Sequence, residues 1–179
     1  MEADSDCVIS IRTSCVLIFK MEKGTYIIVT EARRAFTCQV GKLGKLAGRK
    51  GYYFYVGSAL GSGGIKSRVN HHLQISTNPR WHFDYLRPFV TPLRIWYCSS
   101  LNRYEHQWAA VLAALPNAVI PLTKFGATDC QCDAHLYYFK RAPDIQIFRK
   151  ALQNLSIHAN YLRELPVEQW DDSKDLEEG

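Results

Sequence analysis

Residues 51–74 read Gly51-Tyr-Tyr-Phe-Tyr-Val-Gly57-Ser-Ala-Leu-Gly61-Ser-Gly63-Gly64-Ile65-Lys-Ser-Arg68-Val69-Asn-His71-His72-Leu73-Gln74. The run Gly51–Val56 is aromatic and β-branched, the composition of a strand. Gly57–Gly64 is a glycine-rich connector. Ile65, Val69 and Leu73 then recur every four residues, so Ile65–Gln74 reads as a helix with one apolar edge. Strand, glycine loop and helix in this order make the nucleus of a mixed fold.

Working outward, Val16–Phe19 and Gly24–Thr30 read as strands, with Glu22–Gly24 as the turn between them. Residues 31–51 are rich in Gly, Lys and Arg, with a short strand near Thr37–Val40. Asn78-Pro79 breaks the chain, and a short helix follows at Trp81–Arg87. Leu93–Cys98 and Leu136–Lys140 read as strands. Asn102–Leu115 is a helix with Trp108, Val111, Leu112 and Leu115 on one face, ended by Pro116. Ile145–Leu155 reads as an amphipathic helix, and little order is expected beyond Leu165. Strands gather early and lack regular βαβ spacing. The expectation is an α+β fold, a small and mostly antiparallel central sheet flanked by helices. Residues 1–15 are a loosely ordered start, 16–141 the domain, 142–165 a helical extension and 166–179 an acidic tail.

The 179 residues are 47% hydrophobic and 22% charged, which excludes a wholly disordered chain. No apolar run approaches the roughly 18–20 residues of a bilayer span. Glu2, Asp4 and Asp6 stand where an export signal would be positive, so a cytoplasmic protein with no membrane partner is expected. Six cysteines are then reduced thiols or metal ligands. Residues 164–179 hold seven acidic side chains against Lys174 alone, a charge of −6. The remaining 163 residues carry 21 basic against 10 acidic side chains, +11. A basic body suits a polyanion such as nucleic acid, although basic soluble domains are common.

Gly57–Gly64 lacks the Gly-Lys-Ser/Thr ending of a Walker A loop and the Gly-x-Gly-x-x-Gly spacing of a dinucleotide site. A phosphate-facing loop and a plain flexible connector both remain open. Three polar clusters point to chemistry. Arg68 and His72 are i and i+4 neighbours. At about 100° per residue, His72 lies roughly 20° and Arg68 about 60° from Ile65, while His71 points about 120° away. An inward cation and imidazole suit an anionic ligand; a snorkelling arginine beside a packed histidine gives the same pattern. Glu105 falls on the face of Trp108 and Leu112, where it could hold Mg²⁺ or act as N3 of a capping box begun by Asn102. Cys130, Cys132 and His135 lie within six residues and could hold zinc, with Cys98, His82 or Asp129 as a further ligand; buried thiols beside a strand are the alternative.

Gly24-Thr25-Tyr26 and Tyr55-Val56-Gly57 are two triplets, followed in order by Arg68, His72 and Glu105. With these residues the chain resembles the GIY-YIG nuclease superfamily over roughly residues 15–141. Arg80-Trp-His-Phe-Asp-Tyr85 and Phe125-Gly-Ala-Thr-Asp-Cys-Gln-Cys132 look like the signature of an uncharacterised branch of small single-domain members. Tyr26 and Tyr55 are 29 positions apart, so the resemblance implies an insertion, with an extra strand, between the triplets.

The resemblance implies a divalent-metal-dependent endonuclease that hydrolyses phosphodiester bonds in DNA, in repair or recombination. Glu105 would hold Mg²⁺ or Mn²⁺, and Arg68 would bind a phosphate oxygen. Tyr26 would take a proton from water once nearby positive charge lowered its pKa. Tyr55 and His72 would orient water or phosphate, with His72 the second candidate base. Gly57, Ser58 and Lys66 would lie beside the substrate, Gly57 allowing close backbone approach. A protein partner would supply specificity. The alternatives are a non-catalytic nucleic-acid-binding module on the same fold and a zinc-stabilised interaction protein.

Overall fold

The computed structural model of the chain describes residues 23–155 and 161–172. The expected strand at Val16–Phe19, with residues 1–15, lies outside the described residues. Five strands form an antiparallel sheet: β1 (Gly24–Ala32), β4 (Gly51–Ala59), β5 (Thr91–Ser99), β6 (Leu136–Phe139) and β7 (Arg163–Pro166), in the order β6-β4-β1-β5-β7. A separate hairpin, β2 (Phe36–Val40) with β3 (Gly44–Gly48), is inserted between β1 and β4. The helices are α1 (Gly64–Leu73), α2 (His82–Leu86), α3 (Glu105–Ala114), α4 (Ile145–Asn154) and α5 (Val167–Asp172), with a 3₁₀ turn at Arg87–Phe89. The fold is α+β, as its sequence implied.

Strand alternation divides the core into two layers. Tyr26, Ile28, Tyr53, Tyr55, Ile95 and Tyr97 face one way and pack with α1, α2 and the hairpin. Ile27, Val29, Phe54, Val56, Trp96 and Cys98 face the other way and pack with α3 and α4. Tyr53 thus belongs to the core, while Tyr52 is only half-buried. Both faces of β1 and β4 are covered, so these strands are buried almost throughout.

Three expectations need correction. The segment 31–51 holds two strands, not one; its hairpin turns through Gly41, at φ +47°, and buries Cys38, Val40 and Leu46. The chain beyond Leu165 forms regular structure through Asp172. Leu165 pairs with Ile95, and Trp170, 0% exposed, packs on Tyr97 and donates to Asn70 on α1. Acidic neighbours diluted the apolar signal there. Finally, α3 begins at Glu105 with Tyr104 as its N-cap, so no capping box runs from Asn102. Thr25 Oγ1 of β1 accepts the Tyr104 N–H at 3.2 Å instead, fixing the start of α3 to the sheet.

Candidate active site and metal-binding cluster

β1 and β4 run antiparallel with Tyr26 opposite Gly57. A Cβ on Gly57 would come within 2.4 Å of the Tyr26 hydroxyl, so the glycine makes room for a side chain, not for approaching backbone. Tyr55 lies two residues earlier on the same face. Its ring stacks on Phe83 of α2 at 4.8 Å, and Gly126, at φ +73°, leaves space beside it. These close approaches fix both tyrosines at one end of the sheet.

A cleft of about 460 Å³ opens there. Tyr26, Tyr55, Gly57, Ser58, Arg68 and Glu105 all line it. They come from two strands and from helices on opposite sides of the sheet. Ser58 points to the α3 side, and its hydroxyl donates to Glu105 Oε2 at 2.9 Å. Arg68 lies over the Trp81 ring at 4.6 Å, which holds the guanidinium at the rim.

Two of the expected substrate contacts lie elsewhere. His72 is 1% exposed and sits behind the tyrosines, 5.5 Å from the Tyr55 ring and 6.3 Å from Tyr26. Burial keeps it neutral by lowering its pKa. It supports the wall rather than facing a ligand. Lys66 is half-buried on α1 and is not among the residues lining the cleft.

Burial works against the tyrosine-base expectation. Burial raises the pKa of Tyr26 well above its ordinary value, and the Arg68 charge only partly opposes this. Burial raises Tyr55 in the same direction. Both phenols keep their protons in the free protein. Sequence spacing identified the nearby cation; it could not weigh that cation against complete burial.

Arg80, Trp81 and His82 also line the cleft, placed there by Asp84. Asp84 is 2% exposed, and its Oδ2 accepts the N–H groups of Arg80 and Trp81 at 2.9 and 3.0 Å. The same oxygen lies 3.3 Å from His71 Nε2, and Oδ1 lies 3.4 Å from His72 Nδ1. His71 is therefore tied inward, not directed away as its helical angle suggested. Burial alone would raise the Asp84 pKa, but its contacts with His72, Trp81, Arg80 and His71 hold it well below the usual carboxylate range. Although Asp84, His71 and His72 form a close group, the carboxylate is already used by backbone donors, so the group is a clasp. His82 Nδ1 accepts the Gly126 N–H at 2.8 Å. Burial keeps His82 neutral, so its proton resides on Nε2 and is available as a donor.

Across the cleft, His135 is buried, with Nδ1 3.6 Å from Glu105 Oε1 and Nε2 3.6 Å from Cys130 Sγ. His106, Cys130, Cys132 and His135 each offer a ligand atom within 4.8 Å of the others. The fourth member is His106, not Cys98, His82 or Asp129. Its position beside Glu105 at the start of α3 was the only signal for it in the chain.

The model of the family described as "Domain of unknown function DUF123" matches residues 25–157, most of the chain. The chain belongs to this family. The matched span contains every cleft residue described above. No curated protein matches it, and no solved structure does. Among the described residues, no helix of this family member is long and apolar enough to cross a membrane.

Proposed function

We propose that this DUF123 protein is a divalent-metal-dependent endonuclease acting on phosphodiester bonds in DNA. The observation that carries the reading is the meeting of Arg68 and Glu105, from opposite sides of the sheet, beside the Tyr26 and Tyr55 hydroxyls in one cleft. Hydrolysis of a phosphodiester needs a positioned water, neutralisation of the phosphate and relief of charge on the leaving oxygen.

The guanidinium of Arg68 supplies a fork of donors for non-bridging oxygens. Arg80 and Arg103, also on the cleft, add positive charge for the flanking backbone. Tyr26 and Tyr55, both protonated, donate hydrogen bonds to water or phosphate. His82 adds a further donor through Nε2–H. Glu105 is a hard oxygen ligand of the kind Mg²⁺ and Mn²⁺ prefer, and one or two carboxylates suffice because these ions retain waters. Such an ion supplies Lewis acidity and lowers the pKa of attacking water, which removes the need for an ionised tyrosine. Ser58 fixes the carboxylate that would hold it.

This chemistry fits a role in repair or recombination in a reducing compartment such as the cytoplasm, consistent with the free thiols of Cys38, Cys98, Cys130 and Cys132. A protein partner would direct the cleft to its DNA. The test is cleavage of supercoiled, duplex and branched DNA with Mg²⁺ or Mn²⁺. Wild-type protein is expected to nick at least one substrate, and EDTA or Glu105→Ala to abolish this. No cleavage of any substrate, together with retained DNA binding, would favour a non-catalytic binding module.

A further inference from the structure

We infer that His106, Cys130, Cys132 and His135 form a tetrahedral zinc site that anchors one wall of the cleft. This site is separate from the Mg²⁺ or Mn²⁺ ligand at Glu105 and stands without the nuclease reading. Two thiolates and two imidazoles are a common structural donor set for Zn²⁺. Zn–S bonds near 2.3 Å and Zn–N bonds near 2.1 Å place neighbouring ligand atoms about 3.4–3.8 Å apart in a tetrahedron. The Cys130 Sγ to His135 Nε2 separation of 3.6 Å falls in that interval. All four ligand atoms lie within 4.8 Å of one another, so closure needs side-chain shifts of about an ångström.

The surroundings are those of a metal site. Lys124 Nζ donates to the carbonyls of Cys130 and Cys132 at 3.2 and 2.9 Å, clasping the loop so that both thiols face His135. Lys124 itself adopts φ +62°, a backbone conformation uncommon for a residue other than glycine. His135 Nδ1 has no hydrogen-bond partner within ordinary distance, yet it faces Glu105 Oε1 at 3.6 Å. A proton on Nδ1 directed to that carboxylate leaves Nε2 free to ligate. This is the carboxylate–histidine–metal relay that orients zinc-bound imidazoles. His106 is exposed, which leaves a path for the ion.

Two thiolates balance the charge of Zn²⁺, so the assembled centre is neutral at the cleft wall. Through His135 it would also steady Glu105, linking a structural ion to the residue proposed to hold the catalytic one.

The test is metal analysis of the full chain purified without chelator, followed by Co²⁺ replacement. One zinc per chain is expected, and the Co²⁺ form should show the intense visible bands of a tetrahedral thiolate site. Cys132→Ser should lose zinc. His106→Ala, at an exposed position outside the packed core, should weaken zinc binding at least tenfold. Glu105→Gln should retain zinc stoichiometry while weakening affinity about 10- to 100-fold. A folded, zinc-free protein that takes up no Zn²⁺ would overturn the proposal. So would a Cys130–Cys132 disulfide in protein kept under reducing conditions, or a His106→Ala variant that binds zinc as tightly as wild type. DNA cleavage without zinc would refute the zinc site and leave the nuclease reading standing; zinc without cleavage would do the reverse.

Discussion

The two banks of the cleft are built differently. On one bank, β1, β4, α1 and α2 hold Tyr26, Tyr55, Arg68 and Trp81 by burial, ring stacking and the Asp84 clasp. On the other, the start of α3 and the cysteine loop gather Glu105, His106, Cys130, Cys132 and His135 as potential metal ligands of mixed exposure. Among the described residues, hydrogen bonds that join them include Ser58 to Glu105, the Gly126 N–H to His82, the Tyr104 N–H to Thr25 and the Val56 N–H to the His135 carbonyl. The first bank is packed without any ligand. The second has its donors close together and would gain its final geometry from the proposed metal. The comparison teaches that the residues proposed to meet phosphate are set by the packed core, whereas the candidate metal ligands are set by a loop and a helix end.

Substitutions can break the comparison bank by bank. The largest expected effect is that of Arg68→Ala, which removes the fork proposed to bind phosphate; cleavage should fall about a thousandfold. Arg68→Lys should recover only part of the rate, because an ammonium lacks the planar fork. A nicking time course with each variant checks this, and near-wild-type cleavage by Arg68→Ala would move phosphate binding to the other bank.

Asp84→Asn tests whether the first bank depends on its clasp. It should cost about 2–4 kcal/mol, since a buried carboxylate with several donors is replaced by a group that cannot satisfy all of them. The Asp84 pKa is depressed on folding, so its stabilisation is present above the unfolded value near 3.9 and is lost as pH falls toward the folded one. Urea midpoints measured from about pH 7 down to pH 3 should therefore fall more steeply for wild type than for Asp84→Asn. Parallel curves would remove Asp84 from the acid response.

Gly57→Ala is expected to have the smallest effect on the fold and a defined effect on the site. The new methyl would meet the Tyr26 hydroxyl, so the ring must move. Cleavage should fall about tenfold, the size expected for misplacing one positioned donor. Overpacking the buried ring should cost about 1–3 kcal/mol, while zinc content should change little; thermal melts followed by circular dichroism and metal analysis check both.

Much of this arrangement was legible in the chain. Tyr26, Tyr55 and Gly57 could be read because strand alternation and the two triplets place them together, and Arg68 because helix spacing put it beside an apolar edge. Glu105 was visible as a carboxylate among apolar neighbours. What could not be read depended on depth or on contacts between distant segments. Burial, not proximity to Arg68, decides that Tyr26 keeps its proton. His72 and Lys66 share α1 with Arg68, yet one lies behind the cleft wall and the other away from its lining. His106 reaches the cysteine loop only through the packing of α3 beside β4 and β6. The strand at Arg163–Pro166 is short and acidic residues flank it, so its pairing with β5 gave no periodic signal.

The central claim is that Arg68 and Glu105, from opposite sides of the sheet, act on one scissile phosphate. A double-mutant cycle on the DNA cleavage rate, with Arg68→Ala, Glu105→Gln and the pair, measures this directly. The account expects the double variant to be scarcely slower than the slower single variant. Fully multiplicative losses, or a Glu105→Gln protein that cleaves at the wild-type rate, would contradict it.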